Sequence, residues 1–160
     1  MNDEFALAPK DLTEAKALSV TLSKASLLPD ALRGKEADVL MTIMTGRELG
    51  LGPMQAIRAI EVIKGKPTLK AEAMVALVRA RKDVCAYLMC EASDAKVATL
   101  STQRVGDPKP TTISWSMEQA KAAGLVQPSK SGEPSMYTKY PDIMLRWRAA
   151  SMLVKLVYSD

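Results

Sequence analysis

Apolar positions in the first third of the chain recur at helical spacing. Ala15, Leu18, Leu22 and Ala25 fall on one stripe, which predicts a helix over 12–27, opened by Asp11 with Glu14 as a capping box and stopped by Pro29. Val39, Leu40, Ile43 and Met44 place one apolar side on a second helix over 35–49. The glycines of GRELGLG read as its termination. Gly50 suits the left-handed position after a helix, and Pro53 suits the first turn of a short helix, PMQAIRAI. The period then changes. Val62 and Ile63, the turn Lys64-Gly65-Lys66-Pro67, and Thr68-Leu69 predict a hairpin over 61–69. The stretch TLKAEAMVALVRARKD returns to helical spacing, with Thr68 as its cap and Ala71, Met74, Val75 and Val78 inward.

Three strand-like segments follow: VCAYLMCE (84–91), KVATLSTQRV (96–105) and TTISWSM (111–117). Ser93-Asp94 and Gly106-Asp107-Pro108 supply the turns between them. In the third segment Ile113, Trp115 and Met117 share one face and Thr112 and Ser114 the other, the alternation of an antiparallel sheet with one polar face. Ser116 with Gln119 caps a helix, MEQAKAAGL, that Gly124 ends. Residues 126–138 are polar and read as a mobile loop. The last helix starts at Pro141 and runs to about 157, with Ile143, Trp147, Ala150 and Val154 as its apolar stripe. The expected fold is α+β: a small antiparallel sheet, made of the hairpin and a three-stranded meander, packed on helices that include a long C-terminal one. With 160 residues, one domain spanning 1–160 is expected, with residues 1–11 as a flexible N-terminus.

Composition narrows the chemistry. There is no histidine, which removes every triad and zinc site built on one. No phosphate-loop pattern and no D-x-D or E-x-x-E pair is present. Cys85 and Cys90 fit no metal spacing. On a regular strand their odd separation points them to opposite faces, and both read as reduced, buried small hydrophobes. No apolar run reaches the roughly 20 residues of a membrane span, and the acidic start MNDEFALAPK has no signal-peptide core, so a cytoplasmic location is expected.

Charge is distributed unevenly. Residues 1–60 hold 7 Lys/Arg against 8 Asp/Glu, and residues 61–160 hold 15 against 10. Between 64 and 82 stand Lys64, Lys66, Lys70, Arg79, Arg81 and Lys82, with Glu72 as the single acid. Positive clusters of this kind hold phosphate backbones, because each neutralised phosphate releases condensed counterions. They also occur as plain solvated faces. On the last helix Arg148 and Lys155 lie seven residues apart on one face, while Arg146 points roughly the other way. Trp147 falls on the apolar stripe and reads as core rather than as a base-stacking platform. Aromatic residues make up only 4% of the chain, few for a protein that grips bases by stacking.

Three blocks carry a resemblance. LLPDALRGKEADVLMTIMTGRELGLGPMQAIRAIEVIKGKPTLKAEAMVALVRA, SWSMEQAKAAGL and KYPDIMLRWRAASMLVKLVYSD resemble, in that order, the RecT family of phage single-strand annealing proteins. The resemblance covers roughly residues 17–160. It implies a small twisted sheet backed by a long helix, as in the Redβ/RecT superfamily. It implies ATP-independent binding of single-stranded DNA and annealing of complementary strands in phage recombination, in the bacterial host's cytoplasm, through an annealed duplex intermediate. It also implies self-association into a ring or helical filament and work beside a phage exonuclease. No bond chemistry and no cofactor are implied, with a magnesium ion that assists DNA binding left open.

Annealing needs the DNA backbone held and the bases presented. On this reading Lys64, Lys66 and Lys70 form one wall of a basic groove, Arg146, Arg148 and Lys155 the other, and Arg79, Arg81 and Lys82 extend the positive surface. The rivals are a duplex-binding, helix-turn-helix-like regulator using residues 40–60 with Arg58 and Gln55 as readers, a scaffold whose basic face is incidental, and a carboxylate-metal nuclease.

Overall fold

The structure is a computed structural model that describes residues 8–63 and 65–159. The chain divides into two compact units at the Lys70–Ala71 bond. Residues 1–7 of the expected flexible N-terminus lie outside the described residues. Residues 8–11 lead straight into structure: the Asp11 side chain accepts from the Glu14 N–H at 2.9 Å, and the Glu14 carboxylate accepts from the Lys10 N–H at 2.7 Å.

The first unit contains α1 (Leu12–Ser23), α2 (Glu36–Glu48), α3 (Pro53–Ala59) and a hairpin of β1 (Ile60–Ile63) and β2 (Lys66–Leu69). Its core gathers Leu28, Leu32, Val39, Ile43 and Ile57, with Leu18 and Leu22 packed against them. Helix α1 stops at Ser23 rather than running to 27. The Ser23 carbonyl accepts from Gly34 N–H at 2.8 Å, and the chain between them folds into turns that bury Leu28 and Leu32. Burying those two leucines outweighs continuing the helical period. The buried face of α1 is small and partly polar: Ala15, Ser19 and Ser23. Both hydroxyls bond back to the preceding turn, Ser19 to the Lys16 carbonyl and Ser23 to the Val20 carbonyl, so neither is left unsatisfied.

Three glycines of GRELGLG do three different things, where all were expected to terminate a helix. Gly50 has φ +72°, the left-handed region after the helix end. Gly52 is the residue before α3, and its N–H is capped by the Gln55 side chain at 3.0 Å. Gly46 lies buried inside α2, where α3 comes so close that a Cβ would sit 2.2 Å from the Ala56 Cβ.

In the hairpin Ile60 faces Leu69, Glu61 faces Thr68 and Ile63 faces Lys66. Gly65 takes φ +76° in the connection, which glycine enters without steric cost. Thr68 does not cap the next helix. It is a strand residue, and its hydroxyl donates to the Lys66 carbonyl at 3.2 Å.

The second unit contains α4 (Ala71–Ala80), β3 (Cys85–Ser93), β4 (Val97–Arg104), β5 (Thr111–Ser116), α5 (Met117–Ala122), the short α6 (Met136–Lys139) and α7 (Pro141–Val157). The sheet is an antiparallel meander in the order β3-β4-β5. Ala98, Leu100 and Leu88 from the sheet meet Leu145, Ala149, Ala150, Leu153 and Val154 of α7 and Val75 of α4 in one core. Alanines at 149 and 150, both fully buried, let α7 lie close on the strands. The stripe of α7 is therefore rotated from the expected one, and Ile143 is 39% exposed. The opposite face of the sheet is hydroxyl-rich: Thr112 and Ser114 are exposed, and Ser114 shares a 2.8 Å hydrogen bond with its cross-strand partner Thr99. The fold is thus α+β, with small antiparallel sheets and a long C-terminal helix.

Two sequence expectations fail on β3. The register shifts between Cys85 and Tyr87, so one extra residue breaks the two-residue alternation. Cys85 and Cys90 consequently pair with Arg104 and Leu100, which lie on one face of β4, and not on opposite faces. Cys85 is buried, but Cys90 is exposed, and both are free thiols. The segment 126–138, expected as a loop, ends in α6, where Tyr137 is buried in the core.

Candidate functional site

Side-chain geometry sorts the nine expected cations into groups with different availability. Lys64 lies outside the described residues. Lys66, exposed at the start of β2, makes no ion pair among the described residues. Lys70 is held by Glu61 across the hairpin at 3.3 Å, so part of the hairpin's charge is neutralised from within.

In the second unit Arg79 performs a structural task. Its guanidinium donates twice to the Leu88 carbonyl, from Nε at 3.0 Å and Nη2 at 2.6 Å, tying α4 to β3. Arg81 forms a forked pair with Asp83, its Nη2 2.9 Å from Oδ2. That hydrogen bond holds the Asp83 carboxyl below the usual carboxylate range. Lys82, beside it, is exposed.

Helix α7 presents the remaining three. It begins at Pro141, where a missing N–H costs nothing, and runs unbroken to Val157. Arg146 is half-buried, and its Nε is buried without a hydrogen-bond partner. Arg148 and Lys155 are exposed and form no ion pair among the described residues. Lys155 sits in the last turn, where a cation complements the helix dipole. The Arg148 guanidinium lies over the Trp115 ring, 5.5 Å from its centroid. Trp115 projects from β5 into the core, opposite the fully buried Ala98. Tyr137 stands in the same neighbourhood. Burial pushes its hydroxyl pKa up, and Arg148 and Trp115 partly oppose that shift. Nε1 of Trp115 is itself buried without a well-formed hydrogen bond.

Of the expected cations, Lys66, Lys82, Arg148 and Lys155 are exposed and form no ion pair among the described residues, while Lys70, Arg79 and Arg81 are engaged within the protein. Sequence spacing offered no sign of Trp115 beneath Arg148, because the two are joined only by the fold. It also gave no role to Arg104, which lies 5.5 Å over the Tyr158 ring and donates to the Val157 carbonyl at 2.8 Å. Together with the 2.7 Å bond between Tyr158 and Thr102, this fastens the end of α7 to β4.

Other chemistries find less to work with. Among the described residues no group of three or more Asp, Glu or Cys is placed to hold a metal ion. The two side chains expected to read duplex DNA are engaged locally: Gln55 caps α3, and Arg58 Nε donates to the Met54 carbonyl at 3.4 Å. No helix among the described residues is long and apolar enough to cross a membrane. Compared with protein-family models and with curated proteins, the chain gives no significant match.

Proposed function

We propose that this chain is a RecT-like single-strand annealing protein. It binds single-stranded DNA through its phosphates, self-associates, and promotes pairing of complementary strands without ATP and without making or breaking bonds. A phage exonuclease that produces the single strands is its expected partner in recombination. The observation that carries the reading is Arg148: this cation of the block KYPDIMLRWRAASMLVKLVYSD is exposed, forms no ion pair among the described residues and lies over the Trp115 indole. A cation in that state can engage a phosphate without first giving up an ion pair. Lys155 on the same helix, Lys82 and Lys66 likewise form no ion pair among the described residues. The low aromatic content, 4% of the chain, fits a protein that holds the backbone and leaves base edges available.

The test uses two labelled complementary oligonucleotides, no ATP, and a series of salt concentrations. Pairing faster than the spontaneous rate, fading as salt rises, is expected of the wild type. Arg148→Ala and Lys66→Ala should each lower the slope of log affinity against log salt by about 0.7, the contribution of one single-strand phosphate contact. Arg79→Ala should act on stability instead. Wild-type annealing in both Arg148→Ala and Lys66→Ala would remove the site assignment. Absence of single-strand binding at low salt would remove the reading altogether.

A further inference from the structure

We infer that Trp115 is a positioning residue for Arg148, fixing its guanidinium so that a phosphodiester meets a ready-made fork of donors. The inference rests on the proposed DNA-binding role of Arg148 and adds a residue that the sequence pattern assigned to the core. Three observations combine. Trp115 is half-buried, pairs across the sheet with fully buried Ala98 and packs against the core of the second unit. The guanidinium lies over its ring at 5.5 Å. No carboxylate competes for Arg148 among the described residues.

The geometry has a chemical consequence. All the N–H donors of a guanidinium lie in its plane. A guanidinium held over an indole by a cation–π contact, rather than by hydrogen bonds, keeps its N–H donors for a ligand. Two adjacent N–H groups match two oxygens of a phosphate, which a lysine ammonium cannot reproduce. A free arginine side chain also loses rotamer freedom on binding, and the indole removes part of that freedom beforehand. Trp115 therefore acts on affinity through Arg148 and touches no nucleotide itself.

A double-mutant cycle in the full chain tests this, with a dT oligonucleotide as probe. Trp115→Phe keeps an apolar ring in the core but weakens the cation–π contact. It should weaken binding by about two- to fivefold, the range of an exposed to partly buried cation–π pair, with the melting temperature little changed. The same substitution in an Arg148→Ala background should have no further effect. Arg148→Lys should lose nearly as much as Arg148→Ala, despite keeping its charge. In a Trp147→Phe background Trp115 is the sole tryptophan, and its emission should change saturably on adding oligonucleotide and stay flat once Arg148 is alanine.

Equal losses from Trp115→Phe with and without Arg148 would overturn the inference, as would full rescue by Arg148→Lys. Coupled binding without annealing would sink the annealing activity and leave the positioning role standing. Normal annealing with no coupling would do the reverse. No oligonucleotide binding at all would remove both.

Discussion

Replacing Gly46 by alanine is the sharpest probe of how the first unit is built. In an ordinary helix interior the change is stabilising by about 1 kcal/mol, because glycine is the more costly residue to order. Here the new Cβ would lie 2.2 Å from the Ala56 Cβ and 3.2 Å from its Cα. Carbon atoms in contact prefer about 3.5–4.0 Å, so α2 and α3 must separate by more than about 1 Å at this point. The atoms in the way are backbone and the first side-chain atom, and no rotamer change can remove them. Overpacking of that kind costs about 1–3 kcal/mol, and the rigid neighbour places it toward the upper end. The net expectation is a loss of about 1–2 kcal/mol once the helix-propensity gain is subtracted.

Urea unfolding followed by far-UV circular dichroism measures the loss. Gly46→Ala combined with Ala56→Gly should recover part of it, giving a favourable coupling of about 1 kcal/mol or more. Gly50→Ala is the control. It is also destabilising, but through strain at φ +72° in open space, and Ala56→Gly should not rescue it. A Gly46→Ala protein as stable as wild type would refute the close approach of α2 and α3.

The other expectations concern the second unit. Tyr158→Phe removes the 2.7 Å bond to the fully buried Thr102, which keeps its bond to the Tyr87 carbonyl. A loss of about 1 kcal/mol is expected, read as a lower urea midpoint at unchanged slope. The same variant should blunt the alkaline limb of the stability–pH curve. Burial raises the Tyr158 hydroxyl above its ordinary value of 10.0. The folded state therefore holds that proton longer than the unfolded chain, and stability falls as pH rises from 10 through the folded value. Asp94 sets an acid limb of opposite sign. Its carboxylate accepts from the Val97 and Lys96 N–H groups, which lower its pKa below 3.8. Its contribution is whole above that value and is lost as pH falls through the folded one. Asp94→Asn should remove this part of the acid dependence in thermal melts taken across the range.

Local chemistry was legible where it acts locally. The Ser116–Gln119 capping box forms as its spacing predicts. Helix α7 begins at its proline, and the three strands of the meander lie within a residue or two of the apolar alternation. The failures have a common cause, which is a partner distant in sequence. Helix α1 ends early because Gly34 takes the Ser23 carbonyl and two leucines beyond it are buried. The cysteines lost their expected faces to a bulge that no side chain announces. Gly46 looked like punctuation, yet it is a contact with Ala56 ten positions on. Within the candidate site, counting lysines and arginines could not tell which charges were already engaged.

That distinction bears on how a basic protein of this size binds a polyanion. The net charge is only +4, so long-range attraction is modest, and on the proposed reading affinity comes from particular side chains that can each meet a phosphate. Lys70, Arg79 and Arg81 are held by Glu61, the Leu88 carbonyl and Asp83 respectively. Recruiting any of them would first break an existing bond. Arg148 forms no ion pair among the described residues and lies over the Trp115 ring, so on the proposed reading its interaction with a phosphate is offset by little. Two cations adding the same unit to the net charge are therefore unequal as ligands. The contrast is measurable: Arg148→Ala should change the salt slope of binding, and Arg79→Ala should change the unfolding midpoint. If both changed only the midpoint, the free cations of α7 would be surface charge without a ligand.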